Sequence, residues 1–307
     1  GRRPVVIYEI LPPRIIDGTI ESYAERISTL LSKTHIDAIN IPEVHAEESR
    51  GKRPIEDRKR ALPRDFGRII QDSVGVEVIV NRVTVLENHK NQRKWLLETS
   101  EDFGIKNIVL VGGESSQIDY PGPGVSEAAT MIEEINSENG SSIFSGGIVL
   151  PSRKIESERM EKKSANGVKF FTTQVLYDSQ DICKLLWHYN NTVNERGSIP
   201  RRVLLSFAPV STKKNLEFLK WLGVEIPEET EENLIQSEEG IKERSIEICM
   251  GLLEEILSFV TENGIRVPIG LNVEHIMTYN FDHSVELLQR MSKRYRSFCM
   301  GTDLYDS

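Results

Sequence analysis

At 307 residues the chain is long enough for one large barrel or for two ordinary domains. Its 38% hydrophobic and 28% charged residues describe an ordinary globular protein, and no apolar run approaches the length that spans a bilayer. A net charge of −9 argues against a general nucleic-acid binder, and the first residues carry no signal-peptide pattern, so the expected location is the cytoplasm.

Short β-branched runs alternate with amphipathic helical runs along the whole chain. Strand patterns cover 4–10, 36–41, 76–85, 107–111, 143–150, 168–174, 202–207 and 267–272. Helical spacing is read over 19–33, 64–73, 88–103, 125–137, 156–165 and 178–190, then 213–222, 228–236, 241–262 and 282–294. Eight strands separated by helices imply parallel pairing with right-handed crossovers. The expected fold is therefore α/β, a (β/α)8 TIM barrel forming a single domain over residues 1–307. No Gly-x-Gly-x-x-Gly opens a helix, which weighs against a dinucleotide-binding open sheet. The three cysteines, Cys183, Cys249 and Cys299, are odd in number and far apart, which fits reduced thiols rather than a disulfide framework or a zinc site. For Cys183 and Cys249, both in helical patterns, a buried small hydrophobe is the expected role.

In such barrels reacting groups sit where strands meet the loops that follow them. The polar residues at those ends are Glu9; Asn40; Asn81 with Arg82 and Thr84; Glu114; Gln174; Ser206; and Asn272 with Glu274 and His275. Strand ends are also polar simply because they approach solvent, so the set carries more weight than any member. Glu9 stands apart. Alternation puts Val5, Ile7 and Glu9 on one face, so an acid follows two aliphatics toward the barrel interior. A carboxyl there is partly desolvated and suited to act as a general acid, and Glu114 would raise its pKa further if close. The plainer alternative is a structural ion pair with Arg14 or Arg82. Gln174 offers an amide edge suited to a pterin or a nicotinamide.

The segment 50–68 carries Arg50, Lys52, Arg53, Arg58, Lys59, Arg60, Arg64 and Arg68, interleaved with Glu56, Asp57 and Asp65. It reads either as a phosphate-binding patch or as a solvated loop, with the loop the simpler explanation. The six histidines form no metal-binding spacing, and no nucleophile elbow or P-loop is present.

The run Tyr8-Glu9-Ile10-Leu11-Pro12-Pro13-Arg14 resembles the opening strand of the methylenetetrahydrofolate reductase family, Phe-Glu-Phe-Phe-Pro-Pro-Lys/Arg. Residues 103–114, ending Val111-Gly112-Gly113-Glu114, are similar to that family's Gly-Ile-x-x-Ile-x-x-Leu-Arg-Gly-Asp segment. Residues 166–178, with Thr172-Thr173-Gln174 at their centre, resemble its Ile-Thr-Gln segment, and Ala208-Pro209-Val210 and Ile226-Pro227 follow in the family's order. Four positions depart from the pattern. Gly112 replaces an arginine, Arg82-Val83-Thr84 replaces His-Leu-Thr, and the flavin-holding loop after the fifth strand is reduced to 149–153. The family's Tyr-Thr-Leu-Asn-Arg ending is replaced near Asn272–Ile276.

The resemblance implies a flavoprotein oxidoreductase of one-carbon metabolism. It would reduce a 5,10-methylene-tetrahydropterin to the 5-methyl form by hydride transfer from NAD(P)H, with FAD as the expected carrier. Glu9 would be the general acid that opens the five-membered ring, and Glu114 would stand beside the flavin and stabilise the cation. Gln174, Asn40, Ser206 and Asn272 are the expected substrate contacts; Arg82, Thr84, Gly113 and Glu114 are the expected flavin contacts. No metal is expected. The expected partners are the tetrahydropterin and the nicotinamide, without nucleic acid or membrane, and a homo-oligomer is left open. A second reading is a non-redox pterin-binding barrel without flavin, either a methyltransferase or a subunit that depends on a partner.

Overall fold

The computed structural model describes residues 3–45, 51–55, 59–114, 117–237, 239–277 and 280–301. Eight strands close into one parallel barrel in chain order: β1 (Val6–Ile10), β2 (Ala38–Ile41), β3 (Glu77–Val83), β4 (Asn107–Val111), β5 (Phe144–Val149), β6 (Phe170–Val175), β7 (Arg202–Phe207) and β8 (Ile269–His275). β8 returns to β1 in parallel register, Ile7 opposite Asn272 and Glu9 opposite Glu274. Helices cover the outside: α1 (Ile20–Leu31), α2 (Pro63–Val74), α3 (His89–Glu101), α4 (Val125–Asn139), α5 (Glu156–Ala165) and α6 (Gln180–Arg196). The seventh unit carries three, α7 (Lys213–Trp221), α8 (Glu228–Ile235) and α9 (Ile241–Glu262), and α10 (Phe281–Met300) follows β8. The (β/α)8 expectation is what the structure shows.

Local chemistry sets the element ends. Thr19 and Asn88 accept hydrogen bonds from the amides of Ser22 and Asn91, capping α1 and α3 at the positions their types suggest. Three elements run three or more residues past the sequence expectation. α6 continues to Arg196 and stops at Gly197, where φ is +63°. α10 continues because Tyr295 and Cys299 still face the core. β8 runs three residues further, to His275, and that extension shapes the site.

The interior is plugged at one level by Ile7, Ala38, Ile79, Val109, Phe170 and Leu204, one apolar side chain from each of six strands. Gly146 makes the Phe170 ring possible: a Cβ there would lie 2.4 Å from it. Phe144 stacks on that ring at 5.6 Å. The other faces of the strands pack under the helices into one large apolar cluster, which includes Cys183, Cys249 and Cys299. No described helix is long and apolar enough to cross a membrane. Of the basic segment, Arg50, Glu56, Asp57 and Arg58 lie outside the described residues. Among the rest, Arg64 pairs with Glu98, Arg68 with Asp72, Arg60 donates to the Pro12 carbonyl, and Arg53 lies over the Phe218 and Trp221 rings. These arginines hold loops and helices in place, with Arg64 and Arg68 on α2 rather than in a loop.

Candidate functional site

Above the apolar plug, the next inward-facing residue of several strands is polar. Glu9 follows Ile7, Asn40 follows Ala38, Asn81 follows Ile79, Thr172 follows Phe170, and Ser206 follows Leu204, each two residues on. β8 contributes Asn272 and Glu274 in the same alternation. The strand register makes neighbours of Glu9 and Asn40, of Glu9 and Glu274, and of Ser206 and Asn272.

Several members of the layer are hydrogen-bonded to one another. Asn40 Nδ2 donates to Glu9 Oε2 at 2.5 Å. Asn272 Nδ2 donates to Ser206 Oγ at 3.1 Å and to Glu274 Oε1 at 3.2 Å. Ser206 Oγ lies 3.2 Å from Thr172 Oγ1. Neither arginine considered as a partner for Glu9 pairs with it: Arg14 binds Asp17 at 2.6 Å, and Arg82 binds Glu43 at 2.9 Å.

Burial dominates the electrostatics. It pushes Glu9 up to about 7, against the opposing hydrogen bonds from Asn272 and Asn40. Glu274 is raised well above the carboxylate range, first by burial and then by the charge of Glu9, with Ser206 and Asn272 opposing. The carboxyl coupled to Glu9 is thus Glu274, where the sequence pointed to Glu114. Glu114 lies exposed after β4, its amide donating to Tyr120 Oη at 3.0 Å.

Three side-chain oxygens, Oδ1 of Asn40, Asn81 and Asn272, are buried and accept no hydrogen bond from the protein. An unsatisfied buried acceptor costs about 1–3 kcal/mol, and three such oxygens can accept from N–H donors. Asn81 and Glu274 stand among the sequence's strand-end residues without an assigned role. What would have singled out Glu274 is the alternation Gly270, Asn272, Glu274, visible once β8 is carried past Asn272.

The expected flavin contacts are engaged elsewhere. Arg82 is buried, donating to Glu43 and Gln92 with its guanidinium 4.7 Å from the Trp95 ring centre. It borders a cavity of about 450 Å³ outside the barrel, between α2 and α3, where Arg64 and Lys94 are both paired with Glu98. Thr84 donates to the Pro123 carbonyl at 2.8 Å, with the Val111 carbonyl at 3.3 Å, joining the loops after β3 and β4. The space a Cβ of Gly113 would take is filled by the Tyr120 ring, 2.3 Å away. These residues do not fit the holding of a flavin. Thr84→Val is accordingly expected to lose about 1–2 kcal/mol in a urea unfolding titration, because those carbonyls lose their donor. Unchanged stability would mean that the hydroxyl serves something other than the loops.

Gln174, at the end of β6, donates from Nε2 to the Leu222 carbonyl, and its Oε1 accepts from the Val175 amide. A register shift between Thr172 and Val175 places it there. It lines a pocket of about 120 Å³ with Leu150, Tyr177 and Glu225, beside the polar layer rather than within it. Among the described residues no three His, Cys, Asp or Glu side chains are placed to hold a metal.

Comparison with known proteins agrees with this architecture. A protein from Clostridium thermocellum, described as uncharacterized and binding two copies of 5-methyl-5,6,7,8-tetrahydrofolic acid, superposes with a TM-score of 0.77. It is 21% identical, with 95% of this chain and 97% of that one covered. A protein from Aquifex aeolicus VF5 superposes with a TM-score of 0.51 at 11% identity, over 97% of this chain and 93% of the other. At these identities the likeness is one of fold. No curated protein matches the sequence. The family model for methylenetetrahydrofolate reductase matches residues 2–293, nearly the whole described barrel with its polar mouth, and the chain belongs to that family.

Proposed function

We propose that the barrel mouth binds a reduced folate and that Glu9 donates a proton to it during reduction of a methylene-tetrahydropterin to the methyl form. The observation that carries this reading is Glu9, a carboxyl raised to about 7 above an apolar plug and ringed by three buried amide oxygens. A pterin's amino-pyrimidine edge supplies N–H donors of the kind that Asn40, Asn81 and Asn272 accept. The proton is needed because the one-carbon bridge joins two nitrogens, and one of them must leave as a neutral amine. Family membership and the tetrahydrofolate-binding neighbour of the same fold support the ligand class. The hydride comes from NAD(P)H as a second substrate. No step is assigned to FAD, because the residues expected to hold it are committed to the protein itself.

That same commitment favours one alternative, a barrel that binds the folate without redox chemistry. The test is NAD(P)H oxidation by purified protein with 5,10-methylene-tetrahydrofolate, with and without added FAD. Turnover that needs no added or co-purified FAD is expected. Absence of turnover under both conditions, with 5-methyl-tetrahydrofolate still bound in a calorimeter, would leave the non-redox alternative.

A further inference from the structure

We propose that Glu274 is the positioning residue for the reacting proton: it shares one proton with Glu9 before the reaction and supplies balancing charge once that proton has been donated. The geometry carries this. Glu9 and Glu274 are register partners on β1 and β8, at the seam where the barrel closes, and both are half-buried beside the buried Asn40, Ser206 and Asn272. Asn272 donates to Glu274 at 3.2 Å and to Ser206 at 3.1 Å, while Asn40 donates to Glu9, so both carboxyls belong to one polar layer. Asn40 from β2, Ser206 from β7 and Asn272 from β8 are the neighbours that act on the pair, and none of them titrates in the neutral range. The adjacent Tyr8 and His275 lie on the opposite strand face, where Tyr8 bonds Ser284 of α10 and His275 meets the Phe281 ring edge-on. Two carboxyls so placed, with no cation among the described residues paired to them, cannot both ionise easily, and they titrate as one unit.

This role rests on the reductase reading, and its charges balance there. The pair begins with one proton and a charge of −1, beside a neutral substrate. Glu9 gives that proton to the bridge nitrogen that leaves. The C–N bond breaks with its electron pair on that nitrogen, and the carbon remains as an iminium cation on the other nitrogen. The pair is then −2 beside +1, so the total is unchanged. Hydride from the reduced nicotinamide neutralises the iminium, and a solvent proton restores the pair.

The pair is tested in ligand-free protein, by following the infrared carbonyl band of protonated carboxyl across about pH 5–9. In the wild type a protonated carboxyl persists above pH 7. In Glu274→Gln and in Glu9→Gln the remaining carboxyl is expected to titrate at least one pH unit below that upper step, while Glu274→Asp keeps a two-step titration. An upper step unmoved in both glutamine variants would overturn the pairing, since burial alone would then hold the proton. Should Glu274→Gln not fold, the titration of Glu9→Gln decides the matter. Turnover supplies the second readout. Glu274→Gln should lose about 10-fold in kcat/KM at pH 8 yet stay within about 3-fold of wild type at pH 5.5. A loss equal at both pH values would reduce Glu274 to scaffolding. If the titrations behave as expected but no NAD(P)H is oxidised, the reductase reading falls and the carboxyl pair stands.

Discussion

Replacing Glu9 with glutamine is expected to lower turnover by roughly 10²–10⁴-fold, the usual contribution of a positioned general acid. The amide keeps the volume and can still accept from Asn40, while its N–H group can donate to Glu274; what is lost is the proton. In the wild type kcat/KM should fall as pH rises through about 7, because only protonated Glu9 can donate. Wild-type stability should fall with rising pH as well, so the substitution that lowers turnover should add stability at high pH. The folded-state pKa lies above the ordinary value of 4.5, so the folded protein retains a proton that the unfolded chain releases. Glu9 therefore makes wild-type stability decline from about pH 4.5 to about 7, and Glu9→Gln removes that part of the decline. Above pH 7 the variant should be more stable by on the order of 2 kcal/mol, and below pH 4.5 the two should coincide. Urea titrations at pH 4.5 and 8 measure the difference. A variant less stable at both pH values, with turnover intact, would make Glu9 a structural group.

Glu43→Ala should cause the largest loss of stability, about 3 kcal/mol at pH 7. Glu43, just past β2, accepts from Arg82 at 2.9 Å and from the Val83 amide at 2.7 Å, and His45 lies beside it. Burial pushes this carboxyl up, but His45, Arg82 and the Val83 amide outweigh burial and hold it below the carboxylate range. Truncation leaves the Arg82 guanidinium in a buried site without a counter-charge, and that accounts for the cost. Because the folded pKa is lowered, the contribution of Glu43 is present above its unfolded pKa and fades as pH falls through the folded one. The gap between variant and wild type should therefore narrow in acid. Thermal unfolding at pH 7 and pH 3 reads this directly, and a variant within 1 kcal/mol of wild type at pH 7 would show that Arg82 finds another partner.

The sequence alone determined the barrel, because eight β-branched runs separated by amphipathic helices leave few other ways to bury both faces of every strand. It also determined that Glu9 points inward, since a side-chain period of two admits no other face once Val5 and Ile7 are in the core. Asn40, Ser206 and Asn272 were legible on the same ground. Tertiary structure alone decided which groups meet. Glu9 and Glu274 are far apart in sequence, and only the closure of β8 onto β1 in a particular register brings them together. Local pattern carries no information about that register, so Glu114 looked equally eligible as the second carboxyl. The fate of Arg82, Thr84 and Gly113 was likewise hidden, since their partners Glu43, Pro123 and Tyr120 sit on other loops or across a turn. A residue's type shows which bonds it can make, but the packing of loops around the mouth decides whether a bond goes to the protein or stays available to a ligand.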